Sequence, residues 1–167
     1  MAAIKQRITP FLWFDGQAEE ASKFYVSIFP NSRIGSTSRY DEQASTASGQ
    51  PRGSVMAVEF ELDGMGFVAL NGGPMFKFTE AVSLMVNCET QKEVDHYWTA
   101  LTSGGGEESQ CGWLKDRFGL SWQITPRMLM EALQDKDPER AKRVMAAMLQ
   151  MTKIDIPTLQ KAYDGRG

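Results

Sequence analysis

Histidine is almost missing from this chain: His96 stands alone in 167 residues. Cysteine is nearly as scarce, with only Cys88 and Cys111 and no CxxC pair. Two thiols are too few for a disulfide framework, and a chain of this length buries enough surface to need no such staple. Basic runs are absent as well. Lys and Arg are scattered and the net charge is −3, which excludes the basic stripe of a nucleic-acid binder. No apolar stretch reaches the length of a membrane span. The opening MAAIKQRITP has no apolar core of a secretory signal. No GxGxxG turn occurs, so a dinucleotide-type cradle is not expected. The expectation is a cytoplasmic protein with no nucleic-acid or membrane partner. Its composition, 42% hydrophobic and 23% charged, is that of an ordinary globular domain and argues against disorder. The length predicts a single domain over 1–167.

Periodicity then divides the chain. Ile8 to Phe14 is rich in β-formers and reads as a strand, broken by Asp15-Gly16. Ala18, Ala21, Tyr25 and either Ile28 or Phe29 recur at helical spacing, predicting a helix over Gln17 to Phe29 that Pro30-Asn31 ends. Ile34 to Tyr40 is a second strand, and the small polar segment Asp41 to Gly53 reads as a flexible loop. Ser54 to Leu62 alternates as a half-buried strand, Asp63-Gly64 is a hairpin turn, and Phe67 to Leu70 returns. Met75 to Glu80 reads as a linker.

The same order follows again. Val82 to Val86 is a strand, and Thr90 to Thr102 a helix with a capping box at Thr90 and Glu93. Gly104-Gly105-Gly106 stops it. Short strands are expected near Glu107–Gln110, Gly112–Lys115 and Leu120–Thr125, with a turn at Asp116 to Gly119. Asp137-Pro138 opens a helix whose apolar stripe is Ala141, Val144, Met145, Met148 and Leu149. A last helix covers about Asp155 to Tyr163. The two halves also align directly. One constant spacing relates Phe24-Tyr25 to Tyr97-Trp98, Glu20 to Glu93 and Trp13 to Val86, with no gap across strand and helix.

The strings ITPFLWFDGQAEEASKFYVSIFPNS, LNGGPMFKFTEAVSLMVNCETQKEVDHYW, QCGWLKDRFGLSWQITP and VMAAMLQMTKIDIPTLQKAY resemble the PhnB-like branch of the glyoxalase/vicinal oxygen chelate superfamily. The likeness covers nearly the whole chain. It implies an α+β fold of two β-α-β-β-β modules, here 8–74 and 81–125, forming a curled mixed-sheet cleft, with a helical extension over 126–167. It implies a homodimer. It also carries an inherited label, 3-demethylubiquinone-9 3-methyltransferase.

The resemblance further implies where a divalent metal sits in metal-dependent relatives, on the first and last strands of each module. By register from the Phe-Tyr pair and the turn glycine, those positions are Pro10, Leu70, Ser83 and Gln123. Pro and Leu cannot ligate, Ser ligates poorly, and Gln123 stands alone. A shift of one residue brings in no carboxylate or imidazole. The expectation is no metal and no cofactor.

Alternation from Pro10 and Ser83 places Leu12 and Phe14, and Met85 and Asn87, on the ligand-facing side, with Ser121 beside Gln123. Cys111 and Trp113 lie two apart on one presumed strand face. Cys111 is either a reactive thiol or a small buried hydrophobe. The cleft-lining set is thus Leu12, Phe14, Leu70, Ser83, Met85, Cys111, Trp113 and Gln123, with no catalytic residue assigned. Trp98 and Trp122 are expected in the core, and His96 on a helix, at its surface or half-buried. These residues suit a small organic molecule in a largely apolar cleft. The residues leave open a metal-free enzyme, a methyltransferase as labelled, or a dimeric structural module.

Overall fold

The chain divides into two units between Lys77 and Phe78, and the computed structural model describes residues 6–166. In the first unit the order is β1 (Phe11–Phe14), α1 (Ala18–Ile28), β2 (Arg33–Arg39), α2 (Glu42–Ser48), β3 (Val55–Leu62) and β4 (Met65–Asn71). The sheet order is β1-β4-β3-β2. Strand β1 runs parallel to β4, and the other pairs are antiparallel.

The predicted helical stripe packs α1 onto this sheet. Ala18, Ala21, Tyr25 and Ile28 are all buried. Tyr25 stacks on Phe60 at 6.2 Å between ring centres, and Phe60 stacks on Phe67 at 5.3 Å. Each such buried side chain contributes roughly 1.5–3 kcal/mol of transfer free energy. Helix α1 has no capping side chain of its own at Gln17. Asn71, at the end of β4, supplies the acceptor instead: its Oδ1 takes the Ala18 N–H at 2.8 Å, and its Nδ2 donates to the Val55 carbonyl at 3.1 Å. The hairpin between β3 and β4 turns at Asp63-Gly64, both at positive φ (46° and 78°), the combination a tight two-residue hairpin requires.

The Asp41–Gly53 segment, expected as a flexible loop, contains α2. Asp41 accepts the Ala44 N–H at 2.8 Å and Gly49 closes the helix in the left-handed conformation. Two good caps hold two turns together. None of its residues is buried, so the helix has no apolar period for sequence reading to detect.

The second unit repeats the order with β5 (Ser83–Cys88), α3 (Gln91–Thr102), β6 (Glu107–Glu108), β7 (Trp113–Lys115) and β8 (Ser121–Pro126). Its sheet runs β5-β8-β7-β6, again with the first strand parallel to the last. The Thr90–Glu93 capping box forms. Val94, Trp98 and Leu101 of α3 are buried, as are Val86, Cys88, Leu114, Trp122 and Ile124 of the sheet. Trp98 and Trp122 lie in the core as expected.

Helices α4 (Arg127–Leu133), α5 (Pro138–Met148) and α6 (Ile156–Asp164) follow. They bury a cluster of Leu129, Ala132, Val144, Met151, Ile154 and Leu159. Of the stripe predicted for α5, only Val144 is fully buried, while Met145 and Leu149 are exposed. The Gln91 side chain ties this cluster to α3. Its Nε2 donates to the Ile154 carbonyl at 3.1 Å, and its Oε1 accepts the Ile156 N–H at 2.8 Å.

Two carboxylates in this region sit below the usual aspartate value of 3.8. Asp95 is held down by hydrogen bonds from Lys153 and Gln91, and Asp135 by those from the Tyr163 hydroxyl and the Asp137 N–H. A carboxylate with a lower pKa folded than unfolded adds stability that is complete above the unfolded value. That stability is lost as pH falls through the folded value. The α5–α6 packing is therefore expected to weaken below about pH 4 and to stay constant between about pH 5 and 7. Both sites face solvent, so the change is modest and shrinks with salt. Hydrogen exchange of α6 amides measures it, and a loss centred above about pH 5 would contradict the assignment.

Candidate functional site

In each unit the sheet has one face beneath its helix and one face that this helix leaves open. In the first unit the covered face carries Leu12 and Phe14, register partners of Ala69 and Asn71. The open face carries Phe11, Trp13, Val68, Leu70, Ala57 and Glu59, by the same pairing. In the second unit the open face carries Ser83, Met85 and Asn87 of β5, Ser121, Gln123 and Thr125 of β8, and Trp113 and Lys115 of β7. Glu107 of β6 extends it beside Lys115.

The expected cleft set therefore splits. Ser83, Met85, Trp113 and Gln123 come together on the second unit's open face. Gln123 Nε2 donates to Ser83 Oγ at 2.8 Å, and Met85 and Trp113 are the register partners of Gln123 on either side. Leu70 lies on the first unit's open face, beside Trp13 and Ala57. Leu12 and Phe14 do not reach the open face. They are 7% and 3% exposed and belong to the layer under α1. The error comes from the ungapped repeat. Asp15, Gly16 and Gln17 link β1 to α1, whereas only Glu89 and Thr90 link β5 to α3. One extra residue shifts the strand by one, and with a period of two every side chain changes face.

Cys111 lies apart from this set. It is not on the β7 face but in the turn that precedes it, with φ 58° followed by Gly112 at 82°. Its N–H donates to the Met151 carbonyl at 2.8 Å, and Gly112 donates to Thr152 at 2.8 Å. Its backbone role is to join the β6–β7 turn to the segment before α6. Cys88 is buried against α3, and burial pushes its thiol up to about 12, where no nucleophilic thiolate forms at neutral pH. His96 is exposed on α3, as expected.

The two tryptophans on open faces differ. Trp13 is fastened down: its Nε1 donates to the Gly73 carbonyl at 2.8 Å, and Phe76 meets its ring edge-on at 4.9 Å. A Cβ on Gly72 would stand 2.2 Å from the Trp13 ring, so only glycine lets the indole lie there. Trp113 is half-buried beside Gln123 and presents a flat surface next to the amide. Lys115 forms an ion pair with Glu80 at 2.5 Å. That hydrogen bond raises the lysine pKa and lowers the glutamate's.

The four strands that would supply metal ligands read FLWF, MGFVALN, SLMVNC and SWQITP. None contains a carboxylate or an imidazole, and their one thiol, Cys88, faces α3. Gln123 is a lone amide oxygen. Among the described residues no group of three or more His, Cys, Asp or Glu is placed to hold a metal. This donor set does not fit a divalent transition metal.

Two β-α-β-β-β units, each closing its first strand parallel onto its last, define the glyoxalase/bleomycin-resistance class. Solved structures agree. PA1353 of Pseudomonas aeruginosa superposes with a TM-score of 0.57 at 19% identity, over 73% of this chain and 98% of that one. FosX, a genomically encoded fosfomycin resistance protein of Listeria monocytogenes, gives 0.52 at 14% identity, over 77% and 98%. These two share the fold. A PhnB protein from Bacillus cereus is 39% identical, with a TM-score of 0.64 over 72% of this chain and 99% of that one. The chain belongs to the 3-demethylubiquinone-9 3-methyltransferase family, whose model matches residues 6–125. No curated protein matches it significantly.

The family's name implies a methyl donor. The four strand-to-helix connections contain one glycine among them, Gly16, so none forms the glycine-rich turn of doubly wound cofactor folds. The residues present do not fit that cradle. Among the described residues, no helix is long and apolar enough to cross a membrane.

Proposed function

We propose that this protein binds a small organic molecule on the open face of the second unit's sheet, without the divalent-metal chemistry of its superfamily. The observation that carries this reading is the grouping of Ser83, Met85, Trp113 and Gln123 on one face. An apolar thioether and an indole flank an amide and a hydroxyl, the mixture typical of small-molecule sites. The corresponding face of the first unit argues less for a ligand, because its charges already have partners: Arg33 pairs with Glu61 at 2.6 Å, and Ser36 donates to Glu59 at 2.7 Å. We read the protein as a cytoplasmic homodimer, in line with its family resemblance.

Native mass spectrometry of freshly purified protein, with no metal added, tests the reading. The expected result is a dimer carrying a small organic mass and no metal. One tightly held divalent ion per subunit, required for ligand retention, would overturn it. Gln123→Ala is expected to weaken retention of that molecule about tenfold, by loss of one buried-edge hydrogen bond.

The family name supports a second reading, transfer of a methyl group. Its discriminating measurement is calorimetric titration with S-adenosylmethionine. Saturable binding in the micromolar range would favour it over simple sequestration.

A further inference from the structure

Ser121 is the anomaly of the second unit. It is 1% exposed, and its Oγ is buried with no hydrogen-bond partner. A buried hydroxyl without a partner is costly and is rarely kept without a reason. The residue lines a depression of about 380 Å³ at the β6–β7 end of the open face. Glu80, Glu107, Glu108, Trp113 and Lys115 line it too, so three carboxylates face one ammonium. Two of the carboxylates are engaged, Glu80 by Lys115 and Glu108 by the Trp98 indole N–H at 2.7 Å. Among the described residues Glu107 makes no ion pair within 4 Å, and it faces the Lys115 ammonium only at longer range.

We infer that this depression takes a small organic cation: a protonated amine on a flat apolar body. The inference rests on the binding reading above and names the ligand class for the same face. The ammonium donates to Glu107 and to Ser121 Oγ, which supplies the missing partner, while the flat body lies along the Trp113 indole. Lys115, the register partner of Ser121, guards this hydroxyl through its bond to Glu80. The side chains of that pair are 37% and 61% exposed, so it holds weakly and can swing aside. An anionic ligand is disfavoured, because the one cation present is already paired and two carboxylates would face it.

The test is an amide and indole NMR titration of the full chain with three matched probes: 2-phenylethylammonium, 2-phenylethanol and phenylacetate. The ammonium is expected to shift the Trp113 indole and the Lys115 and Ser121 amides, and to bind about tenfold more tightly than the alcohol. Phenylacetate is expected to leave those signals unmoved. Glu107→Gln should remove most of the preference for the ammonium. Ser121→Ala should weaken ammonium binding yet raise the melting temperature, because the orphan hydroxyl is gone. A purely structural serine would not show both effects. If the alcohol or phenylacetate shifts the same signals as strongly, the charge assignment falls and the site stands. If none of the three shifts any open-face signal, the binding reading falls with it.

Discussion

Asp116→Ala is expected to lower the unfolding free energy by about 3–5 kcal/mol, the largest effect of any single substitution proposed for this protein. Asp116 is 3% exposed. Its Oδ1 accepts the Phe118 N–H at 2.8 Å and the Leu120 N–H at 3.1 Å, and its Oδ2 accepts the buried Trp122 indole N–H at 2.9 Å. Its backbone carbonyl also closes the turn to Gly119 at 2.9 Å. Truncation removes the acceptor of these three donors, one of them the indole of Trp122, which is 2% exposed. The residue holds the β7–β8 connection in register and so fixes which residues of β8 reach the open face. Asp116→Asn is expected to cost less, about 2 kcal/mol, because one carbonyl oxygen remains while the amide nitrogen meets a donor. Urea denaturation followed by tryptophan fluorescence gives both values. A loss under about 1 kcal/mol for the alanine variant would show that water or a rearranged turn replaces the carboxylate.

Asn71→Ala is expected to cost about 2–4 kcal/mol. The side chain is buried and serves two elements. It caps the first N–H of α1 from outside the helix and bonds the Val55 carbonyl of β3. Its own carbonyl accepts the buried Tyr40 hydroxyl at 2.6 Å, a bond that truncation spares. The effect should be local at first. Amides in the first turn of α1 should lose exchange protection more than those around Tyr25, which stacked aromatics still pin. Equal loss along the whole helix would mean that Asn71 acts through general packing rather than as a remote cap.

Much of this architecture was legible in the sequence. The 3.6-residue stripe on each module's helix, the Asp63-Gly64 turn and the Thr90–Glu93 box rest on neighbouring residues, and each appears where those residues predict. The duplicated order was legible for the same reason. What failed to show was α2, held by caps without an apolar face, and the remote cap from Asn71, whose partner at Ala18 is far away in sequence. The strand faces of the candidate site were legible in part. Alternation within β5 and β8 needs only local register, so it groups Ser83, Met85 and Gln123 on one face, the one that α3 leaves open. Alternation in β7 groups Trp113 with Cys111, and only the sheet register sets Trp113 beside Gln123. Cys111 was misplaced because the strand begins only after the Cys111-Gly112 turn. Glu80 and Glu107 carried no signal, since single glutamates in a linker and a two-residue strand read as solvent charges.

The sequence by itself determined the types of the elements that carry an apolar period, the duplicated order, and the lack of imidazole and carboxylate on the first and last strands of each module. These are properties of residue identity and short-range spacing. Only the tertiary structure decided which face of β1 is open, because one extra residue before α1 inverts the alternation. Only it decided that Trp13 is fastened over Gly72 while Trp113 is not, and that Ser121 is buried without a partner. Each of these depends on atoms brought together from distant positions, where burial and hydrogen bonding, not local propensity, set the free energy.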